Sequence, residues 1–312
     1  MKKLKSYIEL VVRFFVIDIW VVSAQVSMSA FKKGWYRVIR ILSIAVEKFL
    51  ENRCPVSASD LTYYTLFAIV PFFAIAYGIA ISMGMEHILN EQLRSALGGQ
   101  GALSDKLILF AQRTIAESKG GLITVVGSAF FLWSIFSMLD SIETAMNKIW
   151  NVSTNRKFGR RMTGYILFII FGPILLVFGS AVNIFVSANI IDAIHDEVVH
   201  KSLSFLTNFL VPLGVFSALF FMIYQVVPNR TIRLKSSLFA GILAGSAFQI
   251  LQYYYFNIQM SISAYNGIYG SFAALPLLLV WLRMSWMIVL FGAELTFGIE
   301  HEHDFISSRQ DK

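Results

Sequence analysis

Long apolar segments recur along this chain at the length needed to cross a membrane. Six of them stand at residues 61–83, 122–139, 164–188, 205–227, 236–260 and 271–297. A bilayer core requires about 20 mostly apolar residues in helical form. Helices are expected there because lipid offers the backbone no hydrogen-bond partners. The pattern therefore predicts an all-α polytopic membrane protein with six transmembrane helices in a domain spanning residues 57–298.

Shorter amphipathic segments occupy residues 1–56, before the first span. Residues 8–22 are apolar apart from Glu9, Arg13 and Asp18, which favours an interfacial helix, with a seventh span as the alternative. Residues 35–50 show helical period. The apolar positions that share one face are Trp35, Val38, Ile39, Leu42, Val46 and Phe49. This pattern predicts a basic amphipathic helix on the membrane surface.

Two shorter patterns mark the ends of the membrane domain. Ser57 and Asp60 have the spacing of a capping box, which predicts the start of the first membrane helix there. Residues 299–312 follow the last span as a polar tail, which we expect to be cytoplasmic.

The charge between the spans alternates strongly. Lys and Arg in alternate segments total 20 against 5, with Arg283 left over inside the last span. Because cytoplasmic segments carry the excess of Lys and Arg, both termini are predicted to be cytoplasmic. The net charge of +7 then indicates contact with anionic headgroups at the cytoplasmic face, and no nucleic-acid partner is expected. A homo-oligomer is left open.

Short matches between the two halves suggest an internal repeat. Gly-Ser-Ala-Phe occurs at 127–130 and 245–248, and Val-Pro occurs at 70–71 and 211–212. Pro-x-Leu-Leu-Val occurs at 173–177 and 276–280. Three spans per half would relate the halves by an inverted 3+3 repeat, as in many secondary transporters. Chance matches in apolar sequence are the alternative.

Ionisable residues inside membrane spans are costly and are therefore candidates for function. Arg283 lies near the middle of the last span, and Glu294 lies toward its inner end. Eleven residues separate them, which is about 16 Å on nearly one helix face. We expect both to face one interior seam, although a structural ion pair for Arg283 and an interface position for Glu294 are the simpler alternatives.

Other polar residues and prolines extend this candidate pathway. Gln249, Gln252 and Asn183 are placed to line the same seam, with interhelical hydrogen bonding as the alternative. Four prolines fall within spans and are candidate hinges, because each removes a helical hydrogen bond: Pro71, Pro173, Pro212 and Pro276.

Enzyme motifs are weak in this chain. It contains no Walker A loop, no H-E-x-x-H and no G-x-S-x-G. The run 301–304, His-Glu-His-Asp, has metal-binding residue types, but adjacent positions rarely converge on one ion. We expect no catalytic residues, no metal site and no cofactor.

Several motifs together resemble the YihY/BrkB family of bacterial inner-membrane proteins. The motifs, which span roughly residues 35–298, are Leu61-Thr62-Tyr63-Tyr64-Thr65-Leu66 before Val70-Pro71, Asn147-Lys148-Ile149-Trp150, Val227-Pro228-Asn229-Arg230, Tyr269-Gly270-Ser271 with Pro276 and Trp281, and Leu290-Phe291-Gly292-Ala293-Glu294-Leu295. The resemblance implies six spans with both ends inside. It links the chain to an old ribonuclease BN label and to envelope lipid export or serum resistance.

These observations favour a transporter or flippase for a lipid or an amphiphilic envelope component. A membrane scaffold that binds partners through its basic loops, without transport, is the alternative. Ribonuclease activity fits poorly, because RNA hydrolysis needs a positioned acid–base pair or metal-binding carboxylates, and the cytoplasmic loops show neither.

Overall fold

Long helices make up most of the protein that the structure describes. The computed structural model describes residues 30–84, 122–152, 197–264 and 267–310, with isolated positions between 87 and 113 and between 170 and 185. Six long helices lie in these ranges: α1 Ala30–Glu51, α2 Cys54–Ser82, α3 Leu122–Ile149, α4 Glu197–Val226, α5 Leu234–Ala264 and α6 Gly267–Gln310. The described residues contain no strand, so the predicted all-α class is confirmed.

Three of these helices are long and apolar enough to cross a membrane. The qualifying segments are Ser202–Val226 in α4, Leu234–Ser261 in α5 and Pro276–Arg309 in α6. They coincide with the fourth, fifth and sixth predicted spans. The helices α2 and α3 overlap the first two predicted spans and have 29 and 28 residues. The six-span count and the inverted repeat remain predictions.

Several predicted features fall outside the described residues. These are the segment 8–22, most of the third span, and with it Pro173 and Asn183. The side chain of Pro71 is also outside them, although the backbone at that position is helical. The helices α4 and α6 run continuously through Pro212 and Pro276. A hinge role for these prolines stays a prediction.

The first membrane helix starts earlier than the sequence pattern indicates. The helix α1 ends at a tight turn in which Arg53 has a φ of 52°, and α2 begins directly after it at Cys54. Pro55 lies in the first turn of α2, where its missing N–H costs no hydrogen bond. The N–H groups of Val56 and Ser57 bond to the Arg53 carbonyl. The capping box predicted at Ser57 and Asp60 is therefore wrong, since both residues already lie inside the helix.

The helix α3 ends in a Schellman motif. Asn151 takes a φ of 51°, the left-handed conformation that Asn tolerates better than most residues. The Val152 N–H bonds to the Asn147 carbonyl at 2.9 Å, and the Asn151 N–H bonds to the Lys148 carbonyl at 3.2 Å. This motif turns the chain sharply at the end of α3 and holds Trp150 against the core.

Close approach of backbones defines the pairing of α4 with α5. A Cβ at Gly241 would stand 2.9 Å from the Ser217 carbonyl oxygen and 3.0 Å from the Phe221 nitrogen. At Gly245 it would stand 2.6 Å from the Ser217 hydroxyl. Small residues four apart let membrane helices pack at short range, so these two glycines determine the spacing of the pair.

The helix α1 packs along the last part of α6 by a second face, distinct from the apolar face that the sequence assigns to the membrane surface. Its buried residues are Arg40, Ile41, Ile44 and Ala45. Four of the residues expected on one apolar face are exposed: Trp35, Val38, Leu42 and Val46. The helix therefore carries two apolar faces, one against α6 and one exposed stripe.

The predicted tail is part of the last helix. The helix α6 has 44 residues, about 66 Å at 1.5 Å per residue, which is about twice the thickness of a bilayer core. Residues 299–310 continue it without a break. The tail is thus a rigid extension that gives α1 a surface to pack on.

Candidate functional site

Four segments meet at one end of the helix bundle, which we call the basic end. They are the α1–α2 turn, the end of α3, the α4–α5 connection at 227–233, and α6 from Leu290 to Gln310. Side-chain bonds connect them in pairs. At or beside these segments lie Lys48, Arg53, Lys148, Arg230, Arg233 and Lys235. Basic residues that are far apart in sequence thus come together at this end, near the acidic residues Glu51, Glu294, Glu300 and Glu302.

The basic end also holds most of the buried core. The largest fully buried side chains include Trp150, Met146, Leu61, Tyr224 and Leu290. The Tyr224 hydroxyl donates to the Val289 carbonyl at 3.0 Å. Tight packing between helices therefore holds this end together.

Two motifs of the sequence come together around Trp150. The Asn147 Oδ1 atom accepts the Asn229 N–H at 2.9 Å. The Arg230 guanidinium lies 5.6 Å from the Trp150 ring centroid, within cation–π distance. The Trp150 ring packs edge-on against Phe297 of α6, at 5.5 Å between centroids. These contacts join α3, the α4–α5 connection and α6.

Glu294 is the most deeply buried ionisable residue of the predicted pathway. Its exposed fraction is 0%. Its Oε1 atom accepts a hydrogen bond from the Asn52 Nδ2 atom at 2.8 Å and lies 3.5 Å from the Cys54 sulfur. Its Oε2 atom is buried and has no hydrogen-bond partner in the described part of the chain. The α1–α2 turn thus closes over Glu294, and its depth relative to the membrane interface stays a prediction.

Arg283 has a different environment from Glu294. Its side chain is exposed, and its Nε atom donates to the Ser59 hydroxyl of α2 at 3.1 Å. Val280 and Met284, beside it on α6, are also exposed. The structure does not place Arg283 and Glu294 in one buried seam. The residues share a helix face, but α1 covers α6 at Glu294 and ends before it reaches Arg283.

The glutamines of α5 lie apart from this pair. The Gln249 Nε2 atom donates to the Phe209 carbonyl of α4 at 2.9 Å, and its Oε1 atom is buried without a partner. Gln252 is half-buried. Gln249 therefore makes the interhelical bond considered from the sequence, and its bond leads to α4 rather than toward Arg283.

An ion-pair cluster joins α1 to the end of α6, and sequence reasoning missed it. The buried Glu302 accepts hydrogen bonds from Arg40 Nη2 at 2.8 Å and from Arg37 Nε at 2.8 Å. Arg309, near the end of α6, pairs with Glu47, near the end of α1. The opposite charges on the two segments were a usable signal, but the run 301–304 suggested metal binding instead.

Cys54 is the only cysteine of the chain, and it lies beside Glu294. It precedes the predicted first span and is almost fully buried. Burial raises the pKa of the Cys54 thiol to about 12, because the thiolate would lose its hydration. Since the thiolate is the nucleophile, Cys54 should be unreactive while it stays buried.

Similar proteins agree with the resemblance seen in the motifs. The chain is 29% identical over 281 residues to a UPF0761 membrane protein of Acinetobacter baylyi, covering 89% of this chain and 66% of that protein. It is 30% identical to UPF0761 membrane proteins of Chromohalobacter salexigens, covering 84% of this chain and 64% of that protein, and of Pseudomonas aeruginosa, covering 81% and 61%. The chain thus spans less than two thirds of the length of these relatives. No solved structure matches it.

The family match covers the parts of the chain that build the basic end. It runs over residues 45–312 under the description virulence factor BrkB. This range includes α2 to α6 and the last turns of α1, and therefore Trp150, Arg283 and Glu294. From the motifs, the helical membrane architecture and this match, we conclude that the chain is a membrane protein of the BrkB family.

Proposed function

We propose that this protein binds an anionic lipid, or a related amphiphile of the bacterial envelope, and moves it across the inner membrane. The observation that carries the proposal is the exposed guanidinium of Arg283. It lies between the exposed apolar side chains of Val280 and Met284 on a helix long and apolar enough to span a membrane. A charged side chain near the middle of a membrane span, where the sequence places Arg283, costs about 3 kcal/mol or more.

A neutral partner does not compensate this charge. The Ser59 hydroxyl satisfies one hydrogen bond of the guanidinium but supplies no negative charge. Arg presents five donors in a fork that matches a phosphate or carboxylate. An anionic headgroup entering from the lipid side, beside α2 and α6, would supply both charge and acceptors. The exposure of Arg283 favours lateral entry over the buried seam expected from sequence.

The exposed apolar stripe of α1 is suited to lie on a membrane surface. Phe31, Trp35, Val38, Leu42, Val46 and Leu50 follow one another at helical spacing, and all are exposed. Lys32 and Lys33 next to them are exposed too. An apolar stripe flanked by cations binds at the boundary of acyl chains and anionic headgroups. This placement agrees with cytoplasmic termini.

Lipid analysis of the purified protein tests the proposal. We expect the wild-type protein to carry one anionic lipid enriched over the bulk membrane. Arg283→Ala should lose this enrichment, while Arg283→Lys should keep part of it because the charge remains. Lys235→Ala, which removes an exposed charge at the basic end, is the matched control and should leave it unchanged. A bulk-like lipid profile in the wild type would contradict the proposal.

Transport itself requires a second measurement. In vesicles with a labelled anionic lipid, we expect faster exchange between leaflets with the wild-type protein than with Arg283→Ala. Equal rates with both would remove Arg283 from the pathway.

A scaffold function is the second candidate, because Arg53, Lys148, Arg230, Arg233 and Lys235 leave exposed charge at the basic end. It would be favoured if the protein captured one partner at low salt and showed neither lipid enrichment nor exchange. We also expect purified protein supplied with divalent metal to leave RNA uncut.

A further inference from the structure

The buried carboxyl of Glu294 has no role in the proposed lipid site. It lies about 16 Å from Arg283 along α6, covered by the α1–α2 turn. Its hydrogen-bond partners, the Asn52 amide and the Cys54 thiol, are both neutral. Among the residues that the structure describes, its Oε2 atom has no hydrogen-bond partner. A buried carboxylate normally has a cation or several donors, because its desolvation is costly.

The charged groups around Glu294 do not supply that compensation. From α1, Lys48 and Glu51 carry opposite charges, and the Lys48 ammonium is paired with Glu51 at 2.6 Å. From α2, the Cys54 thiol is neutral at ordinary pH. Burial raises the pKa of the Cys54 thiol by more than the positive charge of Lys148, from α3, lowers it. The described ion pairs include none to Glu294, so a neutral carboxylic acid fits this pocket better than an anion.

We propose that Glu294 is a proton-binding site, which holds a proton while the α1–α2 turn covers it and releases the proton when the turn moves away. On release, the carboxyl O–H bond breaks, the electron pair stays on the oxygen, and the proton passes to water entering from the basic end. The ligand is the proton itself. Its binding is coupled to the position of α1 on α6, whichever molecule the protein transports.

The architecture permits such opening. The helix α1 is joined to α2 by only two residues, Asn52 and Arg53, so a displacement of α1 withdraws the Asn52 amide from Glu294 directly. Toward its start, α1 is held by the ion pairs of Arg37 and Arg40 with Glu302. The Glu47–Arg309 pair lies closer to the turn, so opening at Glu294 requires this pair to part while the start of α1 stays attached.

Cys54 provides the probe, since it is the only cysteine and lies beside Glu294. The experiment measures the rate at which maleimide labels Cys54 in the full-length protein between pH 6 and 8. Each rate is divided by the rate of the unfolded protein at the same pH, which cancels the ionisation of the exposed thiol. The ratio then reports how often the pocket opens.

If opening releases one proton, the ratio should rise up to about tenfold per pH unit, or about 100-fold over this range. Glu294→Gln mimics the protonated acid in shape and should make the ratio independent of pH. Glu300→Gln, which changes a carboxyl on the same helix that accepts from the Arg233 N–H, is the matched control and should behave as wild type.

Two results would overturn the proposal. One is a ratio independent of pH in the wild type, which needs no variant to be folded. The other is a rise with pH that persists in Glu294→Gln. Neither readout uses lipid, so a failure of the lipid function leaves this test intact.

Discussion

Single residues in this protein derive their roles from what covers them. Arg283 and Glu294 are both ionisable residues of α6, and sequence spacing places them on one helix face. The structure exposes Arg283 beside Ser59 and buries Glu294 beside Asn52. The rule that intramembrane charges are functional candidates selected both residues. It could not separate the exposed side chain of Arg283 from the buried carboxyl of Glu294.

Asn147 carries a prediction at this scale. Asn147→Leu removes the acceptor of the Asn229 N–H, which lies in a half-buried connection. Losing a hydrogen bond of this kind costs about 0.5–1.5 kcal/mol. We expect a lower midpoint of thermal unfolding in detergent. Asn257→Leu, at an exposed position where the side chain bonds only to its own helix in the described contacts, should change the midpoint much less. Equal midpoints for the two variants would contradict this role.

At the scale of elements, α1 is anchored to α6 by charge as well as by apolar contact. Ile41, Ile44 and Ala45 are buried in the core, and Arg40 and Glu302 form a buried pair at the same interface. The helical periodicity of α1 is confirmed, and most of the apolar face that the sequence assigns to the membrane surface is exposed, but the second face that packs on α6 was not predicted. Two apolar faces on one helix look alike in sequence, because both α6 and lipid accept apolar side chains.

Removing Glu302 should loosen α1. Glu302→Ala leaves the buried Arg40 guanidinium without its carboxylate, which costs about 3–5 kcal/mol. We expect faster proteolysis within α1 and a lower unfolding midpoint. The pair Arg40→Met with Glu302→Met should recover much of the loss, since apolar residues of similar size often replace a buried ion pair. Wild-type proteolysis rates in Glu302→Ala would count against this anchoring.

The α4–α5 pair offers a second prediction for elements. Gly241→Ala places a Cβ within 3.0 Å of backbone atoms of Ser217 and Phe221, so the helices must separate. Overpacking of this kind costs about 1–3 kcal/mol. Thermal unfolding should show the loss. Gly214→Ala in α4 meets no atom within 4 Å and should retain wild-type stability. Equal stability of the two variants would show that the α4–α5 pair accepts the added methyl group, and would contradict this role of Gly241.

The whole molecule gathers its basic segments at one end, although they are far apart in sequence. The α1–α2 turn, the end of α3, the 227–233 connection and the last part of α6 meet there. This grouping agrees with the predicted sidedness, in which those segments lie in the cytoplasm. It also brings together the motifs that resemble the family.

Labelling of introduced cysteines tests this sidedness. In a Cys54→Ala background, Lys235→Cys and Ser308→Cys should react with an impermeant maleimide only when it reaches the cytoplasmic face. Ser202→Cys, at the far end of α4, should react from the opposite face. All three positions have exposed side chains. Reaction of all three from one face would contradict the predicted topology.

The sequence by itself determined the helical class, three of the membrane helices, the family and the alternation of charge. These depend on apolar length, local periodicity and residue counts, which are properties of continuous segments. Only the tertiary structure decided which face of α1 is buried, that Glu302 pairs with Arg40 and that Glu294 is closed off. Those depend on neighbours up to 262 residues away along the chain, and the period of a helix does not encode which neighbour covers it.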